Sequence, residues 1–182
     1  WLSGATGIGY GDDDDVTVLT DMRRADDQDG YLSVYARKTF ETADASSLTN
    51  LFLEIDSDDG FVAYLNGEEV ARANVDGAPP AFDDSAREPA GSVDGEVQTR
   101  FDLSHAIELL VPGENVLAIQ GHNANRTSSD FSLSPGLRTL EEAPYPSLRS
   151  VNALQEWIHV RGIHSEKQLQ AVLGEFWENH FT

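Results

Sequence analysis

The sequence predicts a β-sandwich or jelly roll over residues 1–142, and three observations lead to that prediction. Short segments rich in aromatic and β-branched residues recur along this stretch, as is typical of strands. Turn signals separate these segments, of which the Asn66-Gly67 pair is the clearest. Residues 97–103 alternate cleanly, with one face made of Val97, Thr99, Phe101 and Leu103. Many short strands separated by turns are typical of sandwiches and jelly rolls.

The individual strands are predicted at residues 31–40, 51–55, 61–65, 70–73, 97–103, 116–123 and 131–135. Asn66-Gly67 joins the third and fourth strands as a hairpin, because both residues tolerate the positive φ of a type I′ turn. The last strand is expected to end at Pro135, since proline donates no ladder hydrogen bond. Residues 103–110 are expected to form one helical turn with Ser104 as its cap.

Residues 74–96 are predicted to be a long loop. This segment combines three prolines and three glycines with six acidic residues, and no strand or helix pattern runs through it. Long loops in compact domains are either functional or mobile. The sequence leaves both alternatives open.

Residues 143–182 change to a helical pattern. In a first segment, apolar residues share one helical face, and Gly162 is expected to end that helix. A second segment with one apolar face follows the capping-box pattern Ser165-Glu166-Lys167-Gln168. Two helices alone cannot bury such faces, so we expect residues 143–182 to be the start of a following domain. The opening Trp1, in place of Met, likewise suggests a piece of a longer protein.

Composition narrows the class of function. The chain of 182 residues has a formal net charge of −20 and no cysteine, which excludes disulfides and cysteine-based metal or redox chemistry. A strongly negative field repels phosphate backbones and anionic membrane surfaces. No apolar run reaches membrane-spanning length. We therefore expect neither nucleic acid nor membrane insertion, and favour cations and neutral ligands such as sugars as partners.

Three segments carry a resemblance to a known family. They are the opening residues 1–12, the hairpin region from Asp58-Asp59-Gly60 to Asn66-Gly67, and residues 110–123. Together they resemble the galactose-binding-like, carbohydrate-binding-module-like jelly rolls of bacterial secreted proteins. The Asp58-Asp59-Gly60 portion also resembles the paired-aspartate calcium loop of PA14-type lectin modules. The resemblance implies an accessory module located outside the cell or on its surface.

The end of the chain carries a second resemblance. Residues 160–165, followed by the Trp177-Glu178-Asn179-His180-Phe181 element, are similar to the start of a large exported bacterial family of unknown function. That family has no assigned activity, so the resemblance assigns no catalytic residue here. It implies a multidomain exported parent protein.

Calcium is the expected metal. It takes six to eight oxygen ligands from carboxylates, carbonyls and amides on bent loops. Asp56, Asp58 and Asp59 supply such oxygens at a strand end, and further acidic clusters lie at residues 12–15 and 26–30. The alternative is that these aspartates cap turns and strand ends without a metal, a use for which Asp is also favoured.

Sugar recognition requires apolar faces together with planar polar groups. The candidate ligand-binding residues are Tyr10, Arg72, His122, Asn123 and Asn125, with Tyr64 and Asn66 also considered. Four of these residues have structural alternatives: Tyr64 as a core residue, Asn66 as a turn residue, His122 as a hydrogen-bonded structural residue, and Arg72 as the partner of an acid.

The function predicted from the sequence is a non-catalytic, secreted or cell-surface β-sandwich module that binds carbohydrate with calcium support. No nucleophile-elbow or phosphate-loop motif is present, and paired carboxylates are expected by chance in so acidic a chain. The alternative is a structural or assembly module that contacts other domains of its parent protein or self-associates.

Overall fold

Two β-sheets make up the part of the chain that the computed structural model describes, namely residues 2–11, 13, 15–23, 30–89 and 99–140. Two short 3₁₀ helices, Ala45–Ser47 and Ser104–Leu109, accompany them. The strands are β1 (Ile8–Tyr10), β2 (Thr17–Val18), β3 (Ser33–Thr42), β4 (Phe52–Asp58), β5 (Gly60–Leu65), β6 (Glu68–Ala73), β7 (Thr99–Asp102), β8 (Gly113–His122) and β9 (Phe131–Arg138).

The strand order is that of a jelly roll. Sheet one runs β2-β1-β9-β4-β7 and sheet two runs β3-β8-β5-β6. The antiparallel pairs are nested along the chain: β1 with β9, β3 with β8, β4 with β7, and β5 with β6 innermost. Rolling a long hairpin of nested pairs into two sheets gives this topology. The predicted fold class is confirmed.

The core lies between the sheets and follows the period-two alternation of the strands. Leu53 and Ile55 of β4 face Phe61, Ala63 and Leu65 of β5, and all five are buried. The rings of Phe61 and Phe101 meet edge to face at 5.3 Å between centroids. Burying a Leu, Ile or Phe side chain stabilises the fold by roughly 1.5–3 kcal/mol each, so this layer dominates the stability of the sandwich.

The predicted hairpin is confirmed. β5 ends at Leu65, β6 begins at Glu68, and Asn66 and Gly67 have φ values of 51° and 93°. The Asn66 side chain also fastens the turn to β8. Its Nδ2 donates to Asn115 Oδ1 at 2.8 Å, and its Oδ1 accepts from the Val116 N–H at 2.8 Å. Asn66 is thus both the turn residue and a link between strands.

Two predicted boundaries are wrong. β9 continues through Pro135 to Arg138. β1 pairs only with residues 131–133 of β9, so no strand of the described ranges lies on that side of Pro135 and its missing N–H breaks no ladder bond there. The 3₁₀ turn is not capped by Ser104: its N-cap is Leu103, and the Ser104 N–H donates to Asp102 Oδ1 at 2.9 Å. The Ser104 hydroxyl instead accepts from the Leu51 N–H at 3.3 Å.

β1 was not predicted from the sequence, because the glycine-rich segment 4–9 has the composition of a loop. It becomes a strand at Ile8 since Gly9 permits close approach to β9: a Cβ there would lie 1.9 Å from the Phe131 carbonyl oxygen. β2 then pairs with β1 in parallel.

The predicted division of the chain stays a prediction. The chain separates into units 1–140 and 141–182, and all of the second unit lies outside the described residues, with its predicted helices and its Trp177–Phe181 resemblance. Residues 90–96 of the predicted long loop and residues 97 and 98 of the predicted strand 97–103 also lie outside. Among the described residues no helix is long and apolar enough to cross a membrane.

Candidate functional site

Most of the residues predicted from the sequence meet at one end of the sandwich. β1 ends there at Tyr10, β4 at Asp58 and β8 at His122, and β5 starts there at Gly60. Residues 74–89 and 123–130 close over the same end. The nested strand pairing therefore assembles these positions although they are far apart along the chain.

The Asp58-Asp59 pair is buried, with 3% and 4% of each residue exposed. Asp59 Oδ2 accepts the Ala124 N–H, and the Asp59 carbonyl accepts Asn74 Nδ2 at 3.1 Å. The Asp58–Asp59 peptide bond is cis. Asp59 thus organises two loops, which matches the structural alternative for this residue.

The calcium prediction has no further support from geometry. Asp56 lies on β4 opposite Ser134, two residues before Asp58. Within the described ranges, no group of three or more His, Asp or Glu side chains is placed to hold a metal ion. Of the other acidic clusters, Asp12, Asp14 and residues 26–29 lie outside those ranges. Calcium binding remains a prediction.

Tyr10 and Asn123 form one hydrogen-bonded network. Asn123 is 1% exposed, and its Nδ2 donates to the Tyr10 hydroxyl at 3.0 Å and to the Asp130 carbonyl at 3.2 Å. The Tyr10 hydroxyl donates to the Ser128 carbonyl at 3.2 Å. Burial raises the pKa of Tyr10, the bond from Asn123 lowers it, and nearby Asp130 and Asp58 raise it. Both side chains hold the 123–130 loop against β1.

His122 is completely buried and fastens the 74–89 loop. Its Nδ1 lies 2.7 Å from the Asp84 carbonyl oxygen, which requires the proton on Nδ1. Its Nε2 has no hydrogen-bond partner in the described part of the chain. Burial lowers the pKa of His122, and the bond to Asp84 offsets this in part. The neutral imidazole is therefore the form that fits.

Arg72 and Asn125 are the more accessible members of the predicted set. Arg72 makes a bidentate pair with Glu69 at 2.5 and 2.6 Å, and its Nη1 donates to the Val75 and Gly77 carbonyls at 3.2 and 2.6 Å. Asn125 Oδ1 accepts from the Thr127 N–H and hydroxyl at 2.9 and 2.7 Å. Their role toward a ligand remains a prediction.

The outer face of sheet two presents a second candidate surface. Cross-strand neighbours share a face, so Tyr64 on β5, Ala118 on β8 and Arg37 on β3 form one outward row. The adjacent row contains Tyr35, Gln120 and Val62. Tyr35 is 48% exposed, and Tyr64, which lies across β8 from it and one row along, is half-buried.

Residues 74–89 form a wall at one side of this face. Gln120 Nε2 donates to the Tyr35 hydroxyl at 3.0 Å and to the Pro80 carbonyl at 3.3 Å, and the Ser33 hydroxyl donates to the Phe82 carbonyl at 2.6 Å. Val62 is fully buried although it points outward, because this loop covers it. The described part of the predicted long loop is therefore packed against sheet two.

Sequence reasoning missed this surface for a specific reason. Tyr64 was considered as a ligand contact, with a core position as the alternative, because it lies in the predicted strand 61–65. The alternation of Phe61, Ala63 and Leu65 places Tyr64 on the opposite face of the strand from those three residues. Which of the two faces points away from the core depends on how the sheets pack. Burial raises the pKa of Tyr64 and Glu69 raises it further, while Arg72 lowers it. Tyr64 thus lies next to the Glu69–Arg72 pair.

Comparisons with known proteins identify no family. No family model matches the chain, and no curated protein matches it. Similar solved structures include an α-L-rhamnosidase from Aspergillus terreus (18% identity, TM-score 0.39) and a β-D-mannosidase from Dictyoglomus thermophilum (19% identity, TM-score 0.32). The matches cover 61% and 50% of this chain, but only 13% and 9% of those proteins. At these TM-scores neither fold nor function is inferred from the likeness.

Proposed function

We propose that this chain is a non-catalytic carbohydrate-binding β-sandwich whose sugar site is the outer face of sheet two. The observation that carries the proposal is the pair of tyrosines, Tyr35 and Tyr64, beside the small residue Ala118. Aromatic side chains joined to a few fixed polar groups are the usual composition of small-ligand sites.

The shape of the face supports a flat ligand. Ala118 has a single methyl group, so the row between Tyr64 and Arg37 is low at its centre and raised at both ends. A sugar ring can lie in such a depression with its C–H groups against aromatic carbon. The strands of a sheet rest on a packed core, so the tyrosines would be presented at fixed spacing.

The polar groups around the face suit hydroxyl recognition. The Tyr35 hydroxyl already accepts from Gln120, which leaves its proton available to donate. Glu69 and Arg72 hold each other at the far edge of the face, and hydrogen bonds of the Arg72 guanidinium to the Val75 and Gly77 carbonyls restrict it further. A polar edge whose side chains are already ordered loses less entropy on binding.

Calcium support and an extracellular setting belong to this proposal. Asp58 and Asp59 would bind calcium at the loop end of the sandwich, where it would stiffen the 123–130 loop. Calcium there would act on the sugar site indirectly, through loops 74–89 and 123–130.

An assembly module is the second candidate. Val16 and Val18, which flank and form β2, are 69% and 58% exposed at the edge of sheet one. Exposed apolar residues on an edge strand favour pairing with another chain. Light scattering across a concentration series separates the two candidates, because an assembly module self-associates without a glycan.

A glycan array of the full 182-residue chain tests the proposal, run once in millimolar calcium and once in chelator. We expect a discrete set of neutral glycans to bind. Binding lost in chelator would support the calcium role, and binding kept in chelator would refute that role but leave the sugar site intact. Silence in both conditions, together with self-association, would refute carbohydrate binding and favour the assembly module.

A further inference from the structure

A groove of about 670 Å³ opens between the sheets along β3 and β9. It exists because the sheets have unequal extent on this side. β3 pairs with β8 along ten residues, whereas β1 pairs with only three residues of β9. Sheet one therefore stops short, and part of the inward face of sheet two lines an opening.

The floor of the groove is almost entirely apolar. It is formed by inward-facing side chains from both sheets, namely Ile8, Ala36, Phe40, Leu117, Ile119 and Leu137. Such a floor offers no hydrogen-bond partner to a sugar hydroxyl. It suits an alkyl chain, which gains about 0.8 kcal/mol for each CH₂ group removed from water.

Lys38 occupies a position where the strand pattern requires an apolar residue. Inward-facing residues of β3 are Val34, Ala36, Lys38 and Phe40, since strand side chains alternate between faces. Lys38 lines the groove and is exposed. No acidic side chain of the described ranges pairs with it. A cation on the inward face of a strand is tolerated here because β1 does not cover it.

The charge of the groove is opposite to that of the molecule. Lys38 and Arg138 line it, as does Arg37, whose side chain belongs to the outward row of sheet two; no Asp or Glu lines it, although the chain has a net charge of −20. Arg138 Nε pairs with Glu54 at 2.6 Å, so Lys38 is the principal cation facing an incoming ligand. At 0.1 M salt, screening acts beyond about 10 Å, so these near cations outweigh the distant acids.

We propose that this groove binds an amphipathic anion, with its alkyl chain on the apolar floor and its carboxylate at Lys38. The volume lies within the roughly 300–1,000 Å³ of small-molecule sites. The site lies between the sheets, apart from the outward face that carries Tyr35 and Tyr64. It does not depend on the carbohydrate proposal, and either can fail alone.

Titration calorimetry of the full chain tests the proposal, with decanoate, uncharged decanol and cationic decylammonium below their aggregation limits. Decanoate is expected to bind most tightly. Lys38→Met, which keeps the length of the side chain, should weaken decanoate binding roughly fivefold and leave decanol binding unchanged, as expected for the loss of one exposed ion pair. Arg126→Met removes a charge from an exposed loop that does not line the groove, and should change nothing.

A second variant tests the floor independently. Ala36→Leu fills the groove from β3 and should weaken decanoate and decanol alike, while circular dichroism confirms an unchanged fold. The proposal is overturned if decanoate does not bind the full chain, if Lys38→Met binds it like the unaltered protein, or if decylammonium binds equally well.

Discussion

Because His122 is buried and bonded to the 74–89 loop, the stability of the protein depends on the protonation of this residue. Its neutral ring is buried, with Nδ1 bound to the Asp84 carbonyl. Burial lowers its pKa in the folded state below the ordinary 6.5. As pH falls through 6.5 the unfolded chain takes up the proton first, so the contribution of His122 to stability is complete above that pH and declines below it.

We expect the free energy of unfolding to fall as pH drops from 7 toward 5, beyond the carboxylate contribution, because the unfolded chain protonates His122 before the folded chain does. Urea denaturation at several pH values measures it. His122→Gln should lack this part of the slope while keeping the rest. An identical pH slope in the variant and the unaltered protein would contradict the account.

Asn115 is the residue on which the Asn66-Gly67 turn depends. It is fully buried, and its Oδ1 accepts from the Val111 N–H at 2.9 Å and from Asn66 Nδ2 at 2.8 Å. Its Nδ2 donates to the Val111 and Gly113 carbonyls at 2.8 and 3.0 Å. All of its side-chain polar atoms are paired, so truncation leaves several buried groups unpaired.

Asn115→Ala should therefore destabilise the protein by about 2 kcal/mol or more in urea denaturation. Asn125→Ala is the matched control on an exposed loop and should cost no more than about 0.5 kcal/mol. Equal losses in the two variants would show that burial of the Asn115 network does not set the stability of the hairpin.

At the scale of the elements, alanine substitutions at one glycine of β8 and one of β9 distinguish the effect of side-chain packing from that of backbone conformation. A Cβ at Gly121 of β8 would lie 2.9 Å from Phe131 Cζ and 3.2 Å from Leu133 Cδ2. A Cβ at Gly136 of β9 would meet only the Glu54 carbonyl oxygen, at 3.7 Å. Both residues lie in strands, so strand propensity is the same for both substitutions.

Gly121→Ala should lower stability by about 1–3 kcal/mol, because the added methyl group overpacks the interface between the sheets. Gly136→Ala should cost no more than about 0.5 kcal/mol, since space is available there. Thermal unfolding followed by circular dichroism compares the two. A larger loss for Gly136→Ala would show that Gly136, and not Gly121, lies against the more tightly packed neighbours.

The elements also show what sequence can and cannot predict. The alternation of residues 31–40 and the Asn66-Gly67 pair are local signals, and the structure confirms the strands and turn they predict. β1 could not be predicted, because the glycine-rich segment 4–9 has the composition of a loop and the chain becomes a strand at Ile8–Tyr10 only where β9 lies alongside. The burial of His122 and the outward position of Tyr64 likewise depend on the 74–89 loop and the sheet order, which no local pattern encodes.

At the scale of the whole molecule, the sandwich has its own core within residues 1–140. The last described residue, Leu140, is tied back to the domain: Asn50 Nδ2 donates to its carbonyl at 2.8 Å, and its N–H donates to Asn50 Oδ1 at 2.7 Å. This bond pair holds the end of the described segment against the loop that precedes β4, and the boundary predicted after residue 142 stays a prediction.

A chain ending at residue 142 should therefore fold and unfold in one cooperative transition. Differential scanning calorimetry of the 1–142 chain and the full chain makes the comparison, and light scattering reports the oligomeric state of each. Loss of cooperative unfolding in the shorter chain would show that residues 143–182 are part of the sandwich domain.

Carbohydrate binding by the outer face of sheet two is the central claim, and one pair of double variants tests it most directly. Titration of the best array glycan should show at least about tenfold weaker binding for Tyr35→Ala/Tyr64→Ala, since aromatic contacts contribute about 0.5–1.5 kcal/mol each beyond buried area. Tyr35→Phe/Tyr64→Phe keeps both rings and should retain most of the affinity. Unchanged affinity in the alanine pair would place the sugar elsewhere and contradict the account.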